Sequence, residues 1–174
     1  VYLPSTQAVV DGEQMNTTEQ IDQVRDDFIT RMGVIAMGEG LPRMSGQIFA
    51  MLVFEGEAIA FGALSRRLSV SRATISTSIR LLEERGLIRR VNKTGDRQDY
   101  FQLADDAYAA MTKYALAGTR HAKAEINDTM SKLPEDAEGV RARLDSFAAF
   151  YDTISEALDD VATRVSKPKI CRAT

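Results

Sequence analysis

Apolar positions in this chain recur first at helical intervals, then at strand intervals, then at helical intervals again, and the changes of period mark its elements. Behind Asn16 to Thr18, which can cap a helix start, Ile21, Val24, Phe28 and Ile35 form a stripe that runs up to about Gly38. Pro42 suits the first turn of a second helix, which reaches Phe54 or Glu55 and stops at Gly56. Ile59 predicts a short strand. From Phe61 to Leu68 a helical pattern places Leu64 and Leu68 on one face, and a brief Ser69-Val70 connection leads into another helix. Ser71 is suited to cap that helix, Arg72 to Arg85 continue it, and Gly86 supplies its stop. Within it Ile75, Ile79 and Leu82 share a buried face, while Ala73, Ser76, Thr77 and Arg80 point the other way.

After Gly86 the chain reads as a hairpin. Leu87 to Asn92 form an apolar and basic strand, Lys93 to Arg97 turn, and Asp99 to Leu103 return, with Gly95 fitting a positive-φ turn position. Asp105 and Asp106 then favour a helix start through their charge, and an alanine-rich pattern continues to about Leu133, with Pro134 opening the next helix. There Val140, Leu144, Phe147, Tyr151, Ile154, Leu158, Val161 and Val165 recur at alternating steps of four and three, a sustained seam that requires another helix against it. A second subunit meets that requirement and predicts a homodimer; an intramolecular helical layer on a monomer is the other solution. The expected fold class is mainly α with a small β-hairpin wing, a winged helix-turn-helix carried on long dimerisation helices. The corresponding division is a flexible arm over 1–16, a dimerisation helix over 17–40, a DNA-binding region over 41–103, dimerisation helices over 104–166, and a tail over 167–174.

Charge sharpens the picture. The chain as a whole is −3, but Phe61 to Leu103 holds nine Lys or Arg against four acids, a net +5, which leaves −8 elsewhere. Phosphate binding depends on local cation density, so an acidic whole does not argue against nucleic acid. The outward face of the Ser71 helix is also chemically apt. Ser76 and Thr77 can hydrogen-bond several bases, Ala73 can touch a thymine methyl, and Arg80 can pair with guanine or a phosphate.

Other chemistries find little support. His121 is the single histidine and lies mid-helix among Ala122, Lys123 and Ala124, where surface or packing roles suit it better than general-base work. We find no histidine cluster, paired cysteine, glycine-rich phosphate loop or nucleophile motif, and so expect no catalytic residue, no metal and no cofactor. The adjacent Asp105 and Asp106 do not face each other. Cys171 cannot form an internal disulfide, and in its polar tail after Pro168 it reads as a bystander thiol. The longest apolar run, Ile48 to Phe54, is too short to cross a bilayer, and the first residues lack a signal-peptide pattern, so the expected location is the cytoplasm, away from membranes.

Four segments carry a resemblance: LPRMSGQIFAMLVF from Leu41, VSRATIST from Val70, LLEERGLIRRV from Leu81 and GDRQDYF from Gly95. In this ordered set the chain resembles the MarR superfamily of bacterial winged-helix regulators, most closely its GbsR-like branch. The resemblance implies a transcriptional regulator, a repressor by expectation, whose N- and C-terminal helices build a dimer on double-stranded DNA. It implies that Ser71, Arg72, Ala73, Ser76, Thr77 and Arg80 lie in the major groove, and that Lys93 and Arg97 of the wing meet the backbone or minor groove. Arg97 could instead pair with Asp96 or Asp99 to hold the hairpin. Two-fold symmetry would space the reading helices by about 34–36 Å on an approximately palindromic operator. The resemblance further implies a small-molecule effector between the helical and winged regions. For a choline-type cation the aromatic candidates are Phe28, Tyr108, Tyr114 and Tyr151, each of which also falls on a helical stripe. The competing function is a winged-helix module that binds protein and not DNA, which would want an acidic or apolar face where Ser76, Thr77, Arg80 and Arg97 stand.

Overall fold

The computed structural model describes residues 16–165. The readings of an N-terminal arm, of the tail and of Cys171 lie outside those residues, Asn16 excepted. Among the described residues six helices and three short strands follow one another: α1 (Thr17–Gly38), α2 (Arg43–Glu55), β1 (Ile59–Ala60), α3 (Phe61–Arg67), α4 (Arg72–Glu84), β2 (Ile88–Asn92), β3 (Asp99–Leu103), α5 (Ala107–Ser131) and α6 (Glu138–Val165). The result is mainly helical with a small antiparallel sheet in the order β1-β3-β2.

The sequence explains where most elements begin and end. Asn16 accepts from the Glu19 amide while Glu19 reaches back to the Asn16 amide, both at 3.0 Å, a reciprocal capping box at the start of α1. Gly56 and Gly86 both carry φ of 68°, the left-handed conformation that closes a helix at little cost only for glycine. Pro42 is the N-cap of α2 and not part of its first turn. The largest departure from the sequence reading lies between the last two helices. α5 ends at Ser131, not Leu133, and α6 starts at Glu138, not Pro134. Arg141 accounts for the break, donating to the carbonyl oxygens of Met130 and Leu133 (3.3 and 3.5 Å) and so capping the end of α5 from α6.

The core is built on α2, whose Ile48, Ala50, Met51 and Leu52 are buried together with Leu64, Ile75, Ile79, Leu82, Leu87, Ile88 and Phe101. α1 crosses α2 through Gly33 and Gly46. A methyl group at Gly46 would collide with the Ala36 side chain, and one at Gly33 with Gln47, so only glycine permits this closeness. β1 joins the sheet by pairing Ile59 with Phe101, while β2 and β3 run in register from Ile88 opposite Leu103 to Asn92 opposite Asp99.

α5 and α6 form an antiparallel pair. Thr119 and Ser155 share a hydrogen bond at 3.1 Å, Arg120 meets Asp159 at 2.9 Å, and Lys123 bonds Asp152. This pairing uses only part of the α6 seam. Leu144, Tyr151, Ile154 and Leu158 are half-buried, whereas Val140, Phe147 and Val161 remain exposed. On α1, Ile21, Val24, Val34, Ile35 and Met37 are also exposed, each by more than half of its surface.

Candidate nucleic-acid interface

Between α3 and α4 the chain turns through Ser69, which has a φ of 54°, an unusual conformation for a residue with a side chain. Ser65 steadies that turn by donating from its hydroxyl to the Val70 carbonyl at 2.6 Å. Ser71 then caps α4. Its hydroxyl oxygen accepts from the Thr74 amide at 3.1 Å and lies 2.9 Å from the Thr74 hydroxyl, a contact of a kind that is worth about 1 kcal/mol.

The two faces of α4 differ completely. Ile75, Ser78, Ile79 and Leu82 are buried, and Arg72, Ala73, Thr74, Ser76, Thr77 and Arg80 are exposed. Burying those three aliphatic side chains, at roughly 1.5–3 kcal/mol each, fixes which way the opposite face must point. Besides Thr74, whose hydroxyl meets that of Ser71, three of the exposed groups are partly committed. Ser71 serves the cap, Thr77 donates to the Ala73 carbonyl at 3.1 Å, and the Arg72 guanidinium lies 4.7 Å from the centre of the Phe61 ring. Thr74 is a polar group on this face that sequence reasoning passed over; its position three residues after a serine cap was the available signal.

Beside α4 stands the hairpin of β2 and β3. Its loop, Lys93 to Gln98, turns at Gly95 with φ of 83° and closes with an Asp96 amide to Lys93 carbonyl bond of 3.1 Å. Asp96 accepts from the Gln98 amide at 2.9 Å and from the Tyr100 hydroxyl at 2.7 Å. The Tyr100 hydroxyl bond, then the Gln98 amide, holds the Asp96 carboxyl below its ordinary range. Asp99 belongs to Arg90, at 3.2 Å. Neither acid is therefore the partner of Arg97, whose exposed side chain makes no ion pair among the described residues.

The nine cations of the Phe61–Leu103 region thus fall into two groups. Arg67 pairs with Glu55 (2.7 Å), Arg89 with Asp105 (3.1 Å), and Arg90 with Asp99 and Glu83. Arg85 donates to the Gly40 carbonyl at 2.9 Å and covers the Tyr114 ring at 4.0 Å. Arg66, Arg72, Arg80, Lys93 and Arg97 make no ion pair among the described residues, and all five are exposed. Cations at the root of the wing are neutralised internally, and those on the helix face and the wing tip are not. A cleft of about 410 Å³ separates the two surfaces, with Ser76 and Arg80 on one wall and Arg90 and Phe101 on the other.

The four aromatic candidates do not meet within the chain. Phe28 packs on Phe54 between α1 and α2, with ring centres 6.0 Å apart. Tyr151 packs on Phe147 and Phe150 of its own helix, and Tyr108 is exposed near the start of α5. Tyr114 borders a cavity of about 430 Å³ walled by Leu41, Arg85, Leu87, Met111 and Leu158 among others, and its ring is already covered by Arg85. Within one chain the four rings therefore do not converge on a shared space. His121 is exposed on α5, and no cluster of three or more potential metal ligands occurs among the described residues.

Comparison with known proteins bears on the same region. The chain is 26% identical to the HTH-type transcriptional regulator MmpR5 of Mycobacterium tuberculosis (strain ATCC 25618 / H37Rv), over 88% of this chain and 99% of that protein. A crystal structure of a transcriptional regulator, 23% identical, superposes with a TM-score of 0.68 over 83% of this chain and 99% of that one, and so shares the fold. A model of the MarR family matches residues 39–99. That span runs from the α1–α2 turn into the returning strand of the wing, so the similarity to the MarR family covers the helix-turn-helix and most of the wing.

Proposed function

We propose that the protein is a transcriptional regulator that binds double-stranded DNA as a homodimer, with α4 in the major groove and the 93–98 loop on the backbone or in the minor groove. The observation that carries this reading is the segregation of cations: apart from Arg66 on α3, those without an ion pair among the described residues are displayed on the α4 face and at the wing tip, with hydroxyl groups between them. Ser71, Arg72, Ala73, Ser76, Thr77 and Arg80 would face base edges and flanking phosphates, and Lys93 and Arg97 the phosphates beyond. Thr74 joins this set. Members of the MarR family are DNA-binding regulators and not enzymes, in keeping with the reading. Electrophoretic mobility of genomic fragments at two salt concentrations tests it. Retardation that weakens steeply with salt is expected, and its absence at low salt would overturn the reading.

The exposed apolar residues of α1 and α6 support the homodimer, because a second copy is the partner that a symmetric pair of half-sites requires. Occlusion of a promoter is the simplest output of such a dimer, which makes repression the expected sense of control, and the work of the protein is placed with the chromosome, in the cytoplasm. Among the described residues no helix is long and apolar enough to cross a membrane. The four quoted segments keep the likeness to the GbsR-like branch. Its choline-type ligands are not favoured here, because the aromatic candidates are dispersed and Tyr114 already holds a guanidinium. The cavity beside Arg85 instead suits a largely apolar small molecule whose binding changes the separation of the two heads, a shift that needs only a few kcal/mol of differential affinity. Calorimetric titration with choline and glycine betaine should give no heat; a saturating signal would restore the cation.

A further inference from the structure

The wing tip contains a carboxylate and a guanidinium in adjacent positions, Asp96 and Arg97, which could neutralise each other. They do not, because both oxygens of Asp96 are engaged elsewhere. Oδ1 accepts from the Gln98 amide at 2.9 Å, and Oδ2 accepts from the Tyr100 hydroxyl at 2.7 Å. Tyr100 is well placed to take the second oxygen. It lies on β3, opposite Val91 of β2 and Ala60 of β1, so its backbone is anchored in the sheet on both sides. Its ring is half-buried, and Lys93 caps it with the ammonium 4.3 Å from the ring centre. The hydroxyl is thereby aimed from a rigid strand at a mobile class of structure, a surface loop. The bond is reciprocal: Asp96 holds the Tyr100 phenol above its ordinary range as the phenol holds the carboxyl below its own.

We infer that Tyr100 is a positioning residue for DNA binding: its hydroxyl sequesters the Asp96 carboxylate in the loop turn, so that Arg97 leaves the wing as an uncompensated cation. The inference rests on the DNA-binding reading above. Arg97 follows Asp96 directly and lies inside the turn that Asp96 closes with Gln98, while the Lys93 ammonium is already seated on the Tyr100 ring, so a carboxylate released by Tyr100 would have the adjacent, otherwise unpaired Arg97 guanidinium as a cation to neutralise. A phosphate would then have to displace an internal partner before it could bind. The phenol removes that competition without adding a charge of its own.

Five variants of the full chain test this on one duplex chosen for tight binding to the unaltered protein, with affinity followed across a salt series. Arg97→Ala should lose about tenfold in affinity and reduce the salt slope by about 0.9. Tyr100→Phe should lose about 3- to 10-fold, with a lower slope and an unchanged melting temperature. The Tyr100→Phe/Arg97→Ala double variant should bind no more weakly than Arg97→Ala alone, because the tyrosine acts through the arginine. In an Asp96→Asn background the Tyr100→Phe change should cost nothing, since an amide neutralises no guanidinium. Losses that add in the double variant, or a Tyr100→Phe cost that persists in the Asp96→Asn background, would show a role in loop shape alone and overturn the inference. An effect of Arg97→Ala with none of Tyr100→Phe would do the same while leaving the DNA reading intact. Failure of the unaltered protein to bind any duplex would remove the DNA reading itself.

Discussion

The head of the molecule, from Leu41 to Leu103, and the long helices on either side of it satisfy their apolar residues in different ways. In the head, Ile48, Leu52, Leu64, Ile75, Leu82 and Phe101 are all but completely buried within one chain. On α1 and α6, Ile21, Val24, Ile35, Phe147, Phe150 and Val161 remain open to solvent. The head is a finished core that holds a polar surface outward, while the arms are amphipathic helices with one face left over. A fold that must stand on its own hides its apolar groups, and a surface that is to meet a copy of itself displays them.

The comparison can be broken at several points, and the largest effect belongs to the head. Phe101→Ala removes a buried ring from the strand that joins β1 to β2, and should cost about 3–5 kcal/mol in denaturant unfolding. A loss below about 1 kcal/mol would mean that the head is not the self-sufficient core described. On the arms, Phe150→Asp should leave the head folded by circular dichroism yet weaken self-association by about 1.5–3 kcal/mol per copy, measured by sedimentation equilibrium. Unchanged association would place the interface elsewhere. Arg80→Ala should cost about 1–3 kcal/mol in preference for a specific site, read as the ratio of specific to nonspecific affinity, with stability untouched. A uniform loss across all sequences would show that Arg80 meets phosphate instead of a base. The smallest effect is at the far end of α1, where Asn16→Ala should lower thermal stability by about 1 kcal/mol through loss of the capping box. An unaltered melting curve would mean that the end of this helix frays freely.

Legibility follows the same division. The elements of the head could be read because each is set by local chemistry: Ser71 at a cap, Gly86 and Gly95 at positive φ, and Ile75, Ile79 and Leu82 on one face of α4. The α5–α6 connection could not be read so well, because its end is set by Arg141 reaching back across the turn to Met130 and Leu133, a contact between distant positions. Among the candidate site residues, exposure on α4 followed from helical periodicity. The partner of each cation did not, since whether Arg90 or Arg97 is free depends on which side chain reaches Asp99 or Asp96 across the hairpin. The dispersal of the aromatic set within the chain was unreadable for a related reason. Phe28, Tyr108, Tyr114 and Tyr151 have the composition of a cage, but spacing along three different helices says nothing about whether their rings converge.

Hydroxyl-radical footprinting on a DNA fragment selected by the purified protein tests the central claim most directly. A symmetric pair of reading helices should protect two patches whose centres lie about one helical turn, roughly 10–10.5 base pairs, apart. A single isolated patch, or no protection even at low salt, would contradict the account.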